Sequence, residues 1–131
     1  MRNVRIDTED GAQETLFSWA AWQQNKWPEL ELLYHVPNGG KRDKATAAKL
    51  KGQGVKPGVP DLALPVAKCG YHGLFIELKV GRNKTTALQD RWLENLREQG
   101  YYTKVCYGWE EARDTLVEYL EEKTQRREGE K

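Results

Sequence analysis

The chain has 131 residues, 38% of them hydrophobic, and its 21 lysines and arginines against 20 acidic residues leave a net charge of +1. This length, with five tryptophans, six tyrosines and no apolar run of membrane-spanning length, favours one folded domain over a disordered, polybasic or membrane-spanning chain. Two cysteines are too few for a disulfide framework or a cysteine-based zinc site, and the lack of a signal-like apolar segment at residues 1–7 predicts a cytoplasmic location.

Helical and strand-like hydrophobic patterns alternate along the chain. In chain order, the pattern predicts a helix at 9–26, a strand at 31–36, a helix at 43–51, strands at 59–67 and 73–80, a helix at 86–99 with an inner stripe of Leu88, Trp92, Leu93 and Leu96, a strand at 101–107 and a helix at 110–122. This order predicts an α/β fold in which helices flank a small mixed sheet. We expect a single domain over 1–131, with a core at about 9–120 and a frayed, charged tail at 121–131.

The predicted strand at 73–80 carries charge among apolar residues. Side chains alternate along a strand, so Glu77 and Lys79 share one face, and Asp61 opens the preceding strand. If these two strands pair as a hairpin, Asp61 and Glu77 converge at one end of it. Two buried carboxylates need compensation, which a divalent cation such as Mg²⁺ would supply. An ion pair between Lys79 and either carboxylate is an equally good explanation of the pattern.

Two predicted helices turn polar residues toward the interior. Glu9 and Gln13 continue the apolar stripe formed by Leu16 on the first helix, which directs Glu9 toward the edge of the sheet. A carboxylate that simply favours a helix N-terminus is the alternative for Glu9. Gln89 lies on the inner face of its helix, and a capping box with Thr86 is the alternative there.

The segment between residues 38 and 58 concentrates positive charge. It holds six lysines and arginines against one aspartate, and several glycines that allow close approach of the backbone to phosphates. Such a segment is typical of a surface that binds a nucleic-acid backbone, although a solvated lysine-rich helix face is common. It does not match the phosphate loop of NTPases. His35 precedes this segment and is either a site residue or an ordinary hydrogen-bonded histidine.

Taken together, these motifs resemble the signature of the PD-(D/E)XK nucleases. The matching residues are Pro60-Asp61, Glu77-Leu78-Lys79 and Gln89-x-x-Trp92. The longer strings His35-x-Pro37-Asn38-Gly39-Gly40-x-Arg42 and Lys56-Pro57-Gly58-Val59-Pro60-Asp61-Leu62 are similar to the VRR-NUC branch, the virus-type replication-repair nucleases. The resemblance covers roughly residues 9–120 and favours the small stand-alone type found in phages and bacteria.

The resemblance implies a nuclease that depends on Mg²⁺ or Mn²⁺ and acts on DNA. By motif, Asp61, Glu77 and the Leu78 carbonyl would bind the metal, and Lys79 would orient or activate the attacking water. The family pattern Glu-x-x-x-Gln-x-x-Leu-x-x-Trp matches a first-helix ligand at Glu9, with Glu14 as the alternative register. Gln89 joins the catalytic set, and the expected DNA-binding residues are His35, Asn38, Lys41, Arg42, Lys44 and Lys56.

Small stand-alone relatives resemble dimeric Holliday-junction resolvases, so a homodimer acting on branched DNA is expected in a bacterial or phage-infected cell. A dimer also fits the chemistry, because symmetric resolution of a four-way junction needs two active sites related by a two-fold axis. Two alternatives stay open. One is a non-catalytic DNA-binding module, and the other is a restriction-like nuclease of the same fold.

Overall fold

The computed structural model describes residues 4–37 and 42–128. Its elements are α1 (Glu9–Trp22), a 3-10 helix (Pro28–Leu32), β1 (Tyr34–His35), α2 (Lys44–Gly52), β2 (Leu62–Leu64), β3 (Leu74–Lys79), α3 (Ala87–Glu98), β4 (Tyr102–Tyr107) and α4 (Trp109–Leu120). The strands form one sheet in the order β1-β2-β3-β4, antiparallel at the first two junctions and parallel at the third. The expected α/β fold with a small mixed sheet between helices is confirmed.

The register of the β2–β3 hairpin positions the charged residues. Leu62 lies opposite Ile76, so the residue before β2, Asp61, comes next to Glu77. The hairpin pairing predicted from sequence therefore exists, and it brings the two carboxylates to the same end of the strand pair. Helix α3 then connects β3 to the parallel strand β4, which completes the sheet.

The core fills the space between the sheet and helices α1 and α4. Leu16 of α1 and Leu116 and Tyr119 of α4 are fully buried with Ile76 and other apolar residues of the sheet. The Tyr119 hydroxyl donates to the Val66 carbonyl at 2.6 Å, which satisfies its polar end inside the protein. This packing holds α1 against β3, and so determines where the first turn of α1 lies relative to the hairpin.

Several predicted boundaries are wrong for local reasons. Helix α1 ends at Trp22 rather than at residue 26, and a 3-10 helix that begins at Pro28 occupies the start of the strand that the sequence predicts from residue 31. Strand β2 is only three residues long, because Pro60 and Pro65 flank it and have no N–H to donate to a neighbouring strand. Leu88, predicted to face inward, is 41% exposed because it lies in the first turn of α3.

The predicted frayed tail is partly anchored. The N–H of Arg127 donates to the Cys69 carbonyl at 2.9 Å, so the chain returns to the body of the protein after α4. Both cysteines are buried and unbridged. Within the described residues, no helix combines the length and apolar character required to traverse a bilayer.

Candidate active site

Asp61 is held by both its side chain and its backbone. Its Oδ2 accepts a hydrogen bond from the Leu78 N–H at 2.8 Å, which joins it to β3. Its carbonyl accepts from the Val36 N–H at 2.7 Å and from His35 Nδ1 at 3.0 Å. Because a carbonyl only accepts, this last bond requires the His35 proton on Nδ1. The carboxylate is therefore fixed where β1, β2 and β3 meet.

Glu77 is the most unusual side chain of the site, because it carries an ionisable carboxyl group and is only 1% exposed. One carboxylate oxygen, Oε2, lies 3.7 Å from Lys79 Nζ, so the ion pair considered from sequence is present. The other oxygen, Oε1, is buried without a hydrogen-bond partner among the described residues. Burial, and then repulsion from Asp61, raise the pKa of Glu77 to about 8. Lys79 alone therefore does not compensate the carboxylate.

The first turn of α1 approaches the carboxylates across a cavity of about 250 Å³, lined by Glu9, Asp10, Gln13, His35, Pro37, Asp61 and Leu78. Thr8 caps this helix by accepting the Gly11 N–H at 3.0 Å. Gly11 has to be glycine, because an added Cβ would lie 1.5 Å from the Arg5 carbonyl oxygen. The Glu9 carboxylate accepts a hydrogen bond from Asn83 Nδ2 at 3.2 Å. Glu14 does not line this cavity.

The donors present suit a hard divalent cation. Carboxylate and carbonyl oxygens are the ligands that Mg²⁺ prefers, and it commonly takes one or two carboxylates with water for the rest. In the described part of the chain, no three His, Cys, Asp or Glu side chains are grouped closely enough to form a metal-binding cluster. Asp61 and Glu77 thus offer a two-carboxylate set, and the unpaired Oε1 of Glu77 is the atom that a cation would satisfy.

Gln89 lies outside the cavity. Its Oε1 accepts from the Thr86 N–H at 2.9 Å, and the Thr86 hydroxyl accepts from the Gln89 N–H at 3.2 Å. These two bonds are the capping box that was the alternative explanation from sequence, and it begins α3. The structure therefore places Glu77 beside Asp61, with Glu9 lining the same cavity as Asp61, and leaves Gln89 at a helix end.

The basic segment reaches the rim of the cavity at one point. Arg42 Nη2 donates to the carbonyl of Pro37, which lines the cavity, at 2.9 Å. Lys44 and Lys56 are exposed, and α2 buries none of its residues. The expected DNA-binding residues Asn38 and Lys41 lie outside the described residues.

Sequence reasoning did not identify two residues of the site, Asp10 and Asn83. Asp10 follows Glu9 in the first turn of α1 and lines the cavity, so its adjacency to a candidate ligand was the available signal. Asn83 belongs to a polar loop without periodicity, and 74 positions separate it from Glu9. Nothing in the sequence pattern connects those two residues.

The loop that carries Asp61 depends on Gly58. Gly58 has a φ of +89°, and an added Cβ would lie 3.0 Å from Trp92 Cδ1. We expect Gly58→Ala to lower the free energy of unfolding by about 1–3 kcal/mol, because strain and crowding add. Urea unfolding measures this change. Gly52→Ala is the matched control, since no atom lies within 4 Å of its added Cβ, and equal losses in both variants would contradict the argument.

Comparison with known proteins agrees with this geometry. The family model described as VRR-NUC domain matches residues 7–110. A solved structure of a VRR_NUC domain protein is 34% identical to the chain, covers 87% of this chain and 88% of its own, and superposes with a TM-score of 0.75. The comparison with curated proteins gave no match. The fold is of the PD-(D/E)XK type, and the chain, with its nuclease-type domain, belongs to the VRR-NUC family.

Proposed function

We propose that this protein is a Mg²⁺- or Mn²⁺-dependent endonuclease that hydrolyses phosphodiester bonds in branched DNA, as a homodimer of the Holliday-junction-resolvase type. The observation that supports it most directly is the buried Glu77 carboxylate, whose Oε1 has no described partner and which lies beside Asp61. A buried carboxylate beside a second carboxylate is stabilised by a cation, and the family is one of nucleases.

In this proposal, Asp61, Glu77 and the Leu78 carbonyl hold the metal, and Glu9 contributes from α1. When bound, the metal lowers the pKa of water and offsets the charge that develops on the phosphate. Lys79 is buried beside Glu77, so its ammonium is held where it can orient the attacking water. The hydrogen bond from Leu78 keeps the Asp61 carboxylate directed toward the cavity.

The DNA would lie along the basic segment and across the mouth of the cavity. Arg42, Lys44 and Lys56 would contact phosphates, together with Asn38 and Lys41, and His35 would face the substrate at the cavity wall. Symmetric cleavage of a four-way junction requires two such sites, which a homodimer supplies. The proposed location is the cytoplasm of a bacterial or phage-infected cell.

A panel of labelled substrates tests this proposal. Four-way junctions, linear duplexes and supercoiled plasmid are incubated with the protein in Mg²⁺, in Mn²⁺ and in EDTA. We expect junction cleavage with either metal and none in EDTA. DNA binding without cleavage in any metal would favour the non-catalytic module, and preferential cleavage of linear duplex at one sequence would favour the restriction-like alternative.

The first helix provides a prediction about the third carboxylate. Glu9 lines the cavity and Glu14 does not, because five residues turn the helix by about 140°. We expect Glu9→Ala to reduce cleavage by about 10- to 100-fold, as is typical when the environment of a bound metal is weakened, and Glu14→Ala to reduce it less than about two-fold. The test compares the initial cleavage rates of the two variants, each normalised to the folded fraction measured by circular dichroism. A larger loss for Glu14→Ala would reverse the assignment.

A further inference from the structure

The loop between β3 and α3, residues 80–85, is fixed at both ends and contacts α1 in the middle. The Asn83 N–H donates to the Val80 carbonyl at 3.2 Å, and the Thr85 hydroxyl donates to Asp90 at 2.5 Å. Between these anchors, the Asn83 side chain donates to Glu9 at 3.2 Å. This β3–α3 loop therefore lies directly beside the cavity, next to a residue that lines it.

The same loop carries two exposed cations, Arg82 and Lys84, one on each side of Asn83. Within residues 4–37 and 42–128, neither of them forms an ion pair. A hydrogen bond to Glu9 holds Asn83, so the backbone that carries the two neighbouring cations is held near the cavity, and neither cation is paired with a described carboxylate. They are therefore available to an anionic partner.

The cavity itself is acidic and would repel a DNA strand. Glu9, Asp10 and Asp61 line it, and Glu77 lies beside Asp61. Arg42 provides a cation next to Pro37, on the β1 side of the cavity. The β3–α3 loop carries two more, on either side of Asn83, whose side chain contacts Glu9 on the α1 side. Cations thus flank the acidic cavity on two sides, an arrangement that suits a backbone crossing it.

We propose that the β3–α3 loop is a second contact for DNA backbone phosphates, made by Arg82 and Lys84, and that Asn83 within it is a positioning residue that holds Glu9 in the metal site. This inference rests on the proposed function, because it requires both a bound metal and a DNA substrate. A carboxylate ligand that accepts a fixed hydrogen bond is oriented before the metal arrives, which raises affinity. The loop therefore connects the contact with the substrate to the geometry of the metal site.

The positioning role is tested without any cleavage assay. Calorimetric titration with Mn²⁺ alone measures metal affinity in the absence of DNA. We expect Asn83→Ala to weaken Mn²⁺ binding by about 10-fold or more, and Asn95→Ala, which removes an exposed asparagine of α3, to leave it unchanged. In a Glu9→Ala background, Asn83→Ala should have no further effect, because the contact between the two side chains is already absent there.

The phosphate contact is tested by binding alone, using a labelled four-way junction in EDTA over a range of salt concentrations. We expect the double variant Arg82→Gln/Lys84→Gln to lower the log–log salt slope by about two, one for each lost phosphate contact, without losing Mn²⁺ affinity. The control Lys26→Gln/Lys123→Gln removes the same charge beyond the C-terminal ends of α1 and α4, and should leave the slope unchanged.

The outcomes separate the inference from the function on which it rests. An unchanged slope for Arg82→Gln/Lys84→Gln would overturn the phosphate contact. Wild-type Mn²⁺ affinity in Asn83→Ala, or an equal loss in the Glu9→Ala background, would overturn the positioning role. Both results would leave a cleaving enzyme intact. A wild-type protein that binds no Mn²⁺ and cleaves no DNA would overturn the proposed function, and this inference with it.

Discussion

Cleavage by an Asp61→Asn variant is expected to fall at least about 1000-fold below that of the wild type, with the fold unchanged. Removing a single group that stabilises the transition state electrostatically lowers the rate of reaction about 100- to 1000-fold, and here that group is also a charged metal ligand. The asparagine oxygen still accepts the Leu78 N–H that Asp61 accepts at 2.8 Å, so the β2–β3 hairpin is retained. The backbone bonds from Val36 and His35 do not involve the side chain.

The measurement is the single-turnover rate on a labelled four-way junction in saturating Mg²⁺. Asp114→Asn is the matched control, because its carboxylate is exposed on α4 and pairs only with its neighbour Arg113 in the described structure. The thermal midpoints of the two variants should differ from that of the wild type by no more than a few degrees. Near wild-type turnover in Asp61→Asn would remove Asp61 from the metal site.

The parts of the site that followed from sequence are those that short-range rules govern. Alternation along β3 put Glu77 and Lys79 on one face, and hairpin pairing with β2 brought Asp61 alongside. The helical repeat put Glu9 and Gln13 on the same stripe of α1, and both line the cavity. Each of these inferences uses residues within one element or in two adjacent strands, where geometry follows from spacing.

The parts that did not follow from sequence depend on tertiary contacts. The bond between Asn83 and Glu9 requires α1 to lie against β3, which side-chain packing between distant segments decides. The burial of Glu77, and with it the unpaired Oε1, likewise depends on how the helices pack against the sheet. Gln89 is the opposite case. Its spacing fits both a catalytic role and a capping box with Thr86, and the structure contains the capping box, which depends on local contacts alone.

Glu77→Gln is expected to stabilise the metal-free protein in a pH-dependent way, while cleavage is lost. Well below pH 4.5 the carboxyl is protonated in both the folded and the unfolded chain, so it adds no pH dependence to the stability there. Its pKa in the folded protein is raised to about 8, first by burial and then by Asp61. As the pH rises from 4.5 to 8, the unfolded chain releases the proton and the folded chain keeps it. The free energy of unfolding of the wild type therefore falls over this range.

Glutamine has a similar shape and no proton to release, so the variant escapes this loss. Each unit of pKa shift corresponds to about 1.4 kcal/mol. The free energy of unfolding of the variant should therefore exceed that of the wild type by a few kcal/mol at pH 8 and equal it near pH 4. Urea unfolding in EDTA at pH 4, 6 and 8 measures the difference. Glu94→Gln, which changes an exposed carboxyl of α3, should show no such trend.

Adding Mg²⁺ reduces the difference in stability, because the wild type has the ligand that the variant lacks. A metal that binds only the folded state adds about 2.7 kcal/mol at one hundred times its dissociation constant, and Glu77→Gln should gain much less. The variant is thus expected to be the more stable protein in EDTA at pH 8 and to lose a large part of that advantage in Mg²⁺. If Glu77→Gln were the less stable protein in EDTA at pH 8, the Glu77 charge would already be compensated within the fold, and the main support for a metal at this position would be gone.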